Sequence, residues 1–146
     1  MDRTSTAIIV VAAGTAIGAQ APVNKELARS VGTFQAAAIS FAIGTALLLV
    51  IVAIAGGFGG MKDVGDAPWW SLLGGACGVA IVTASIVGVG ELGAGGVTAA
   101  VVAGQLTASV VIDQYGLLGV EKQTLTAGKI AGIALLALSV FLIVRD

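Results

Sequence analysis

A chain of 146 residues in which 58% are hydrophobic and only 10% charged is far from the roughly 25% charged residues of a soluble domain, which excludes a water-soluble globular protein. A formal net charge of −1 with no basic cluster offers no electrostatic footprint for nucleic acid. His is absent and the single Cys77 lies in an apolar run, so no disulfide framework, metal site, cofactor site or catalytic constellation is expected, and the protein reads as a non-enzyme.

A hydrocarbon core about 30 Å thick takes about 20 apolar residues per helical crossing. On that measure the predicted fold is all-α: a multi-pass transmembrane bundle occupying 1-146 as one domain, with five spans near 4-28, 33-54, 68-89, 92-113 and 125-144. Arg3, the apolar run that follows it and the triplet Ala19, Gln20, Ala21 imitate a signal peptide with a cleavage site. The rest of the chain is just as apolar, so this run is expected to be retained as the first span.

In span 1 the strongly apolar part stops at Pro22, which has no N–H to offer the carbonyl of Gly18. Gln20 and Asn24 lie four residues apart at that point. Two outcomes are open: a broken helix lining a cavity, or a helix ending at the interface with Lys25, Glu26 and Arg29 as its solvated tail. Span 2 follows after a connection so short that the two must be antiparallel neighbours. The segment GGFGGMKDVGD at 56-66 reads as the clearest loop. Pro68, Trp69 and Trp70 then open span 3, with the two Trp expected at the headgroup level as interfacial anchors.

Glu91 stands in the turn before span 4. GVGELGAGG resembles a nucleotide loop only in its glycines, because it joins two membrane helices and lacks a phosphate-binding Lys. All spans carry small-xxx-small pairs, which predict close helix packing: Gly14 with Gly18, Ser40 with Gly44, Gly74 with Gly78, Ala100 with Gly104, and Gly128 with Gly132.

Span 4 carries the chemistry. Thr98, Gln105, Ser109 and Asp113 recur at helical spacing, so they share one side of an otherwise apolar helix. Hydrocarbon offers such groups no hydrogen-bond partner, which makes them candidate functional positions. The expected substrate-binding set is Gln20, Asn24, Thr98, Gln105 and Ser109, with a small polar or amphipathic solute held between spans 1, 3 and 4. Asp113 is the candidate proton-coupling group, and a structural ion pair with Lys129 is the competing reading.

Five spans place Arg3, Lys62, Lys122 and Lys129 on one side and Lys25, Arg29 and Arg145 on the other. This near balance specifies orientation weakly, so dual topology, or pairing with an oppositely oriented partner, follows as an expectation. A working transporter built of two inverted halves then takes its second half from another subunit. The alternative is a non-transporting membrane subunit or assembly partner that packs through its Gly-rich faces.

AQAPVNKELAR at the end of span 1, AISFAIGT in span 2, the Trp pair before LGGACG, GQLTASVVIDQYGLLG and the final Gly-dotted helix occur in an order that resembles the YdcZ-type branch of the drug/metabolite transporter superfamily. The resemblance implies a cytoplasmic-membrane transporter of exporter type, with five helices per half and an antiparallel arrangement of halves, as a homodimer or with an oppositely oriented paralogue. Related small multidrug resistance proteins carry a glutamate midway along their first helix that binds proton and cationic drug alternately. Here that region reads VVAAGTAIG and holds no acid, so that mechanism does not transfer.

Overall fold

The computed structural model describes residues 2–145, and among these every regular element is helical. Four long helices, α1 (Arg3–Val31), α2 (Thr33–Ala55), α3 (Gly74–Tyr115) and α4 (Ala127–Arg145), are joined with 3-10 segments at Gly59–Asp66, Trp69–Leu73 and Leu117–Gly119. Four helical stretches are long and apolar enough to cross a membrane, the stretch Trp69–Tyr115 being one of them at 47 residues. Helices are the expected solution in lipid, since each satisfies its own backbone hydrogen bonds.

The chain forms two compact units, Gln20–Val87 and a second assembled from Met1–Ala19 with Gly88–Asp146, so α1 and α3 each contribute to both. In the first unit the chain reverses at Gly32, whose φ of 91° belongs to the region that favours glycine. A side chain here would also collide with Gln35, whose Oε1 lies 2.7 Å from a Cβ position. The result is the antiparallel pairing that the short connection predicts. Ala36 and Ala37 of α2 are buried with Val82 and Ile86 of α3, and Leu27, Ala28 and Phe41 pack around them. Small residues on α2 let the neighbouring helices close in, and the Phe41 ring fills the space over Gly78, where a methyl group would lie 3.3 Å from Cζ.

Pro22 does not break α1, which runs through it to Val31. The missing N–H costs one bond, to the Gly18 carbonyl, and the part beyond Pro22 is held by packing in its own unit, where Ala21 and Asn24 are buried. At about 1.5 Å per residue α1 exceeds the hydrocarbon core, so its end carries Lys25, Glu26 and Arg29 out to water, with Arg29 paired to Glu26. At its start, the Asp2 carboxylate accepts a hydrogen bond from the Ser5 N–H at 2.7 Å. That bond holds the Asp2 pKa below the ordinary carboxylate value. The 56-66 segment is more ordered than a plain loop, since Gly59–Asp66 winds as a 3-10 helix.

In the second unit, α3 is interrupted at Gly93, with φ 66° and ψ 172°. Gly88 and Val97 would lie about 13 Å apart along a straight helix. Instead a methyl group on Gly88 would stand 3.0 Å from Val97 Cγ2, so the chain doubles back at Gly93. The reversal falls just after Glu91, which is exposed. The segment beyond it runs antiparallel to α4: Gly96 approaches Val144 near the end of α4, and Asp113 approaches Lys129 near its beginning.

Few side chains are buried, and large apolar ones such as Ile8, Leu48, Ile54, Leu135 and Phe141 are exposed. In water such a surface would aggregate, whereas in a bilayer it is the lipid-facing side. Of the ten positions in the small-xxx-small pairs, Gly78 is the glycine seated against another helix. Gly14, Gly18, Gly44, Gly74, Gly104 and Gly132 face open space among the described residues. Within one chain, these motifs therefore do less packing than their spacing predicts.

The turn at Gly93 has free room for a Cβ but a backbone conformation reserved for glycine. Gly93→Ala is expected to destabilise the protein by about 1–3 kcal/mol through strain alone. Thermal unfolding in detergent micelles checks this, and an unchanged melting temperature would refute the turn.

Candidate functional site

Polar side chains inside this molecule fall into three groups. In the Gln20–Val87 unit, Asn24 is 5% exposed, the one buried polar residue among those described. Its Oδ1 accepts a 2.6 Å hydrogen bond from Ser40 Oγ and ties α1 to α2. Gln20, one helical turn earlier, is exposed, so the two residues that share a face by spacing differ in environment. Thr83 Oγ1 is buried in the same unit without a hydrogen-bond partner among the described residues. Ser40 and Thr83 stand outside the binding set expected from the sequence, because a lone hydroxyl in an apolar helix usually bonds back to its own backbone.

The second group lies in the other unit. After the reversal at Gly93, α3 presents Ala94, Gly95, Thr98, Ala99 and Val102 to a groove of about 460 Å³, closed on its other sides by Gly18 of α1 and by Leu136 and Ile143 of α4. Thr98 Oγ1 donates to the Ala94 carbonyl at 2.9 Å, leaving its oxygen lone pairs as acceptors. Gly18, which also lines the groove, precedes Pro22 by four residues, so its carbonyl lacks the usual N–H partner within α1. Further along the same face Gln105 and Ser109 are exposed, and their side chains form no hydrogen bond among the described residues.

The third group closes the end of α3. Lys129 Nζ lies 3.9 Å from Asp113 Oδ2, with both side chains about one-third exposed. Lys129 Nζ also donates to Gln123 Oε1 at 3.3 Å. The Gln123 N–H donates to the Asp113 carbonyl at 2.8 Å. The Gln114 Oε1 accepts from the Leu125 N–H at 2.8 Å. Asp113 therefore belongs to a corner that fixes the connection into α4, a role for Gln114 and Gln123 that spacing alone does not reveal. At this separation and exposure the ion pair itself contributes at most about 1 kcal/mol.

Trp69 and Trp70 lie in the 3-10 segment that precedes α3, with Trp69 at 75% exposed and Trp70 at 38%. The preceding Pro68 carbonyl accepts from both the N–H and the hydroxyl of Ser71, at 2.9 and 2.7 Å. An exposed indole pair at the head of a membrane helix suits the headgroup layer. Among the described residues no three His, Cys, Asp or Glu side chains cluster to hold a metal ion.

Four helical stretches long and apolar enough to cross a bilayer, with large apolar side chains on their outer faces, define a multi-pass membrane protein. The family model described as "Putative inner membrane exporter, YdcZ" matches residues 5–142. The chain belongs to the YdcZ family of membrane transporters, and its place is the cell membrane. It is 29% identical over 147 residues to the "Inner membrane protein YdcZ" of Escherichia coli strain K12, covering 99% of this chain and 98% of that protein. No solved structure matches the chain.

The Asn24–Ser40 bond is open to a double-mutant cycle. Asn24→Ala and Ser40→Ala are each expected to cost about 1–3 kcal/mol, because each leaves a polar partner unsatisfied, and the double variant should cost less than their sum. Additive losses in denaturation measurements would show that the bond does not couple the helices.

Proposed function

We propose that this protein is an exporter of a small polar or amphipathic solute, working as an antiparallel dimer of five-span halves. What supports five spans is α3, where the reversal at Gly93 leaves two apolar segments of about 20 residues, each matched to the hydrocarbon thickness. The observation that carries the reading is the pair Gln105 and Ser109, hydrogen-bonding groups exposed within a membrane segment with no partner among the described residues. Lipid cannot supply the missing partners, so a solute or another protein surface must.

Thr98, Gln105 and Ser109 are assigned to solute binding along one face of α3. Asp113, at the water-facing end of that stripe, is the proton-coupling candidate, with Lys129 as its counter-charge. Gln20 stays a candidate contact at the membrane end of α1, and Asn24 acts as a positioning residue through Ser40. Neutral donors and acceptors suit a solute bearing hydroxyl, amide or amine groups. The near-even split of Lys and Arg between the two sides supports opposite orientations of the two halves.

Transport into proteoliposomes tests the assignment. Gln105→Ala is expected to reduce uptake of a transported solute by about tenfold, the loss of one or two hydrogen bonds, and Asp113→Asn to flatten its pH dependence. Unchanged uptake by both variants across pH would remove these residues from the mechanism. For orientation, one Lys added at either terminus should shift reporter fusions markedly towards a single topology; a distribution that does not move would argue against dual insertion.

A further inference from the structure

The groove bounded by Gly18, α3 and α4 has a shape and a position in the membrane that together select an occupant. Glu91 and Asp113 bracket an apolar run, 92–112, of about 30 Å, so residue 102 stands near the bilayer centre. At about 100° per residue, Thr98, Val102, Gln105 and Ser109 lie within about 60° of one another, so the groove and the unsatisfied polar groups share one face of α3. The half of that face towards Gly93 is a hollow lined by small residues, Gly95 and Ala99 among them, and the half towards Asp113 carries the larger Gln105.

An isologous contact pairs residue i of one copy with residue j of the other, and j with i. If two copies cross the bilayer in opposite directions, their two-fold axis lies in the membrane plane, at the level of Val102. It then sets the second copy's Gln105 at the level of Ala99, its Ser109 at the level of Gly95, and Val102 opposite itself. The protruding half of the face thus meets the hollow half twice. Thr98 Oγ1, whose proton is spent on Ala94, is an acceptor for an N–H of the incoming amide, and Gly18 across the groove leaves room for it.

We propose that the groove is the docking site for α3 of a second, oppositely oriented copy of this chain, whose Gln105 enters between Thr98 and Gly18. The inference rests on the antiparallel dimer proposed above and deepens it. The solute-binding groups are the same ones that pair across the axis, so a solute with donor and acceptor groups gains access by replacing the partner's amide.

Cysteine cross-linking in native membranes, in a Cys77→Ala background, tests the register. Val102→Cys alone, and Ala99→Cys co-expressed with Gln105→Cys on differently tagged chains, are expected to form intermolecular disulfides readily. Gln105→Cys alone should do so poorly. If Gln105→Cys alone matches the mixture, the copies run parallel and the proposal falls. If none of these combinations cross-links while wild-type protein in nanodiscs has the mass of a dimer, the contact lies on another face and the proposal also falls. A wild-type monomer would overturn the dimer reading itself. Independently, Ala99→Leu fills the hollow and should raise the dimer dissociation constant at least about tenfold, while Ala99→Ser should leave it near wild type. Unchanged dimerisation of Ala99→Leu would assign the groove to lipid or solute instead.

Discussion

Hydrocarbon forms no hydrogen bonds, and that single constraint organises this molecule. It requires the backbone to be helical and turns three threonine hydroxyls back on their own helices: Thr15 donates to Ala12, Thr98 to Ala94 and Thr107 to Ala103. Ser40 is different, because its hydroxyl reaches across to Asn24 and joins two helices. Against this background the groups without a partner among the described residues, such as Gln105, Ser109 and the buried Thr83 hydroxyl, stand out by physics rather than by residue type.

Glycine is used in three distinct ways. At Gly32 and Gly93 it supplies backbone conformations that reverse the chain, and these two positions give the molecule its hairpins. At Gly78 and Gly88 it makes room, for the Phe41 ring and for Val97 respectively. At Gly14, Gly44, Gly104 and Gly132 it leaves open faces within one chain. The three uses have different energetic origins, namely backbone strain, steric exclusion and surface shape, so substitutions at them fail for different reasons.

The charged groups are kept to the ends of the helices. Arg29 with Glu26 and Lys129 with Asp113 pair at exposed or half-exposed positions, where their net contribution to stability is small and their effect is to define where the membrane stops. Between Gly93 and Asp113, α3 consequently carries neutral polar side chains alone, Thr98, Gln105, Thr107 and Ser109.

Composition and hydropathy were enough to read an all-helical membrane protein, because lipid leaves a chain so few ways to satisfy its backbone; the short connection gave the side-by-side pairing of α1 and α2, and the order of short motifs gave the family resemblance. The polar stripe of Thr98, Gln105 and Ser109 was also legible, since helical spacing alone puts those residues on one side. Tertiary structure decided the rest. Pro22 signalled a break, yet α1 runs through it, with Ala21 and Asn24 buried beside it. Gln20 and Asn24 share a face by spacing, but only the approach of Ser40 separates a buried anchor from an exposed amide. The turn near Glu91 and the Asp113–Lys129 pair were already readable as expectations, whereas the seat of Gly18 in the groove and the hydrogen bonds of Gln114 and Gln123 that fix the corner at Asp113 depend on which helix faces which. That information lies in contacts between residues far apart in the chain, and no local pattern encodes it.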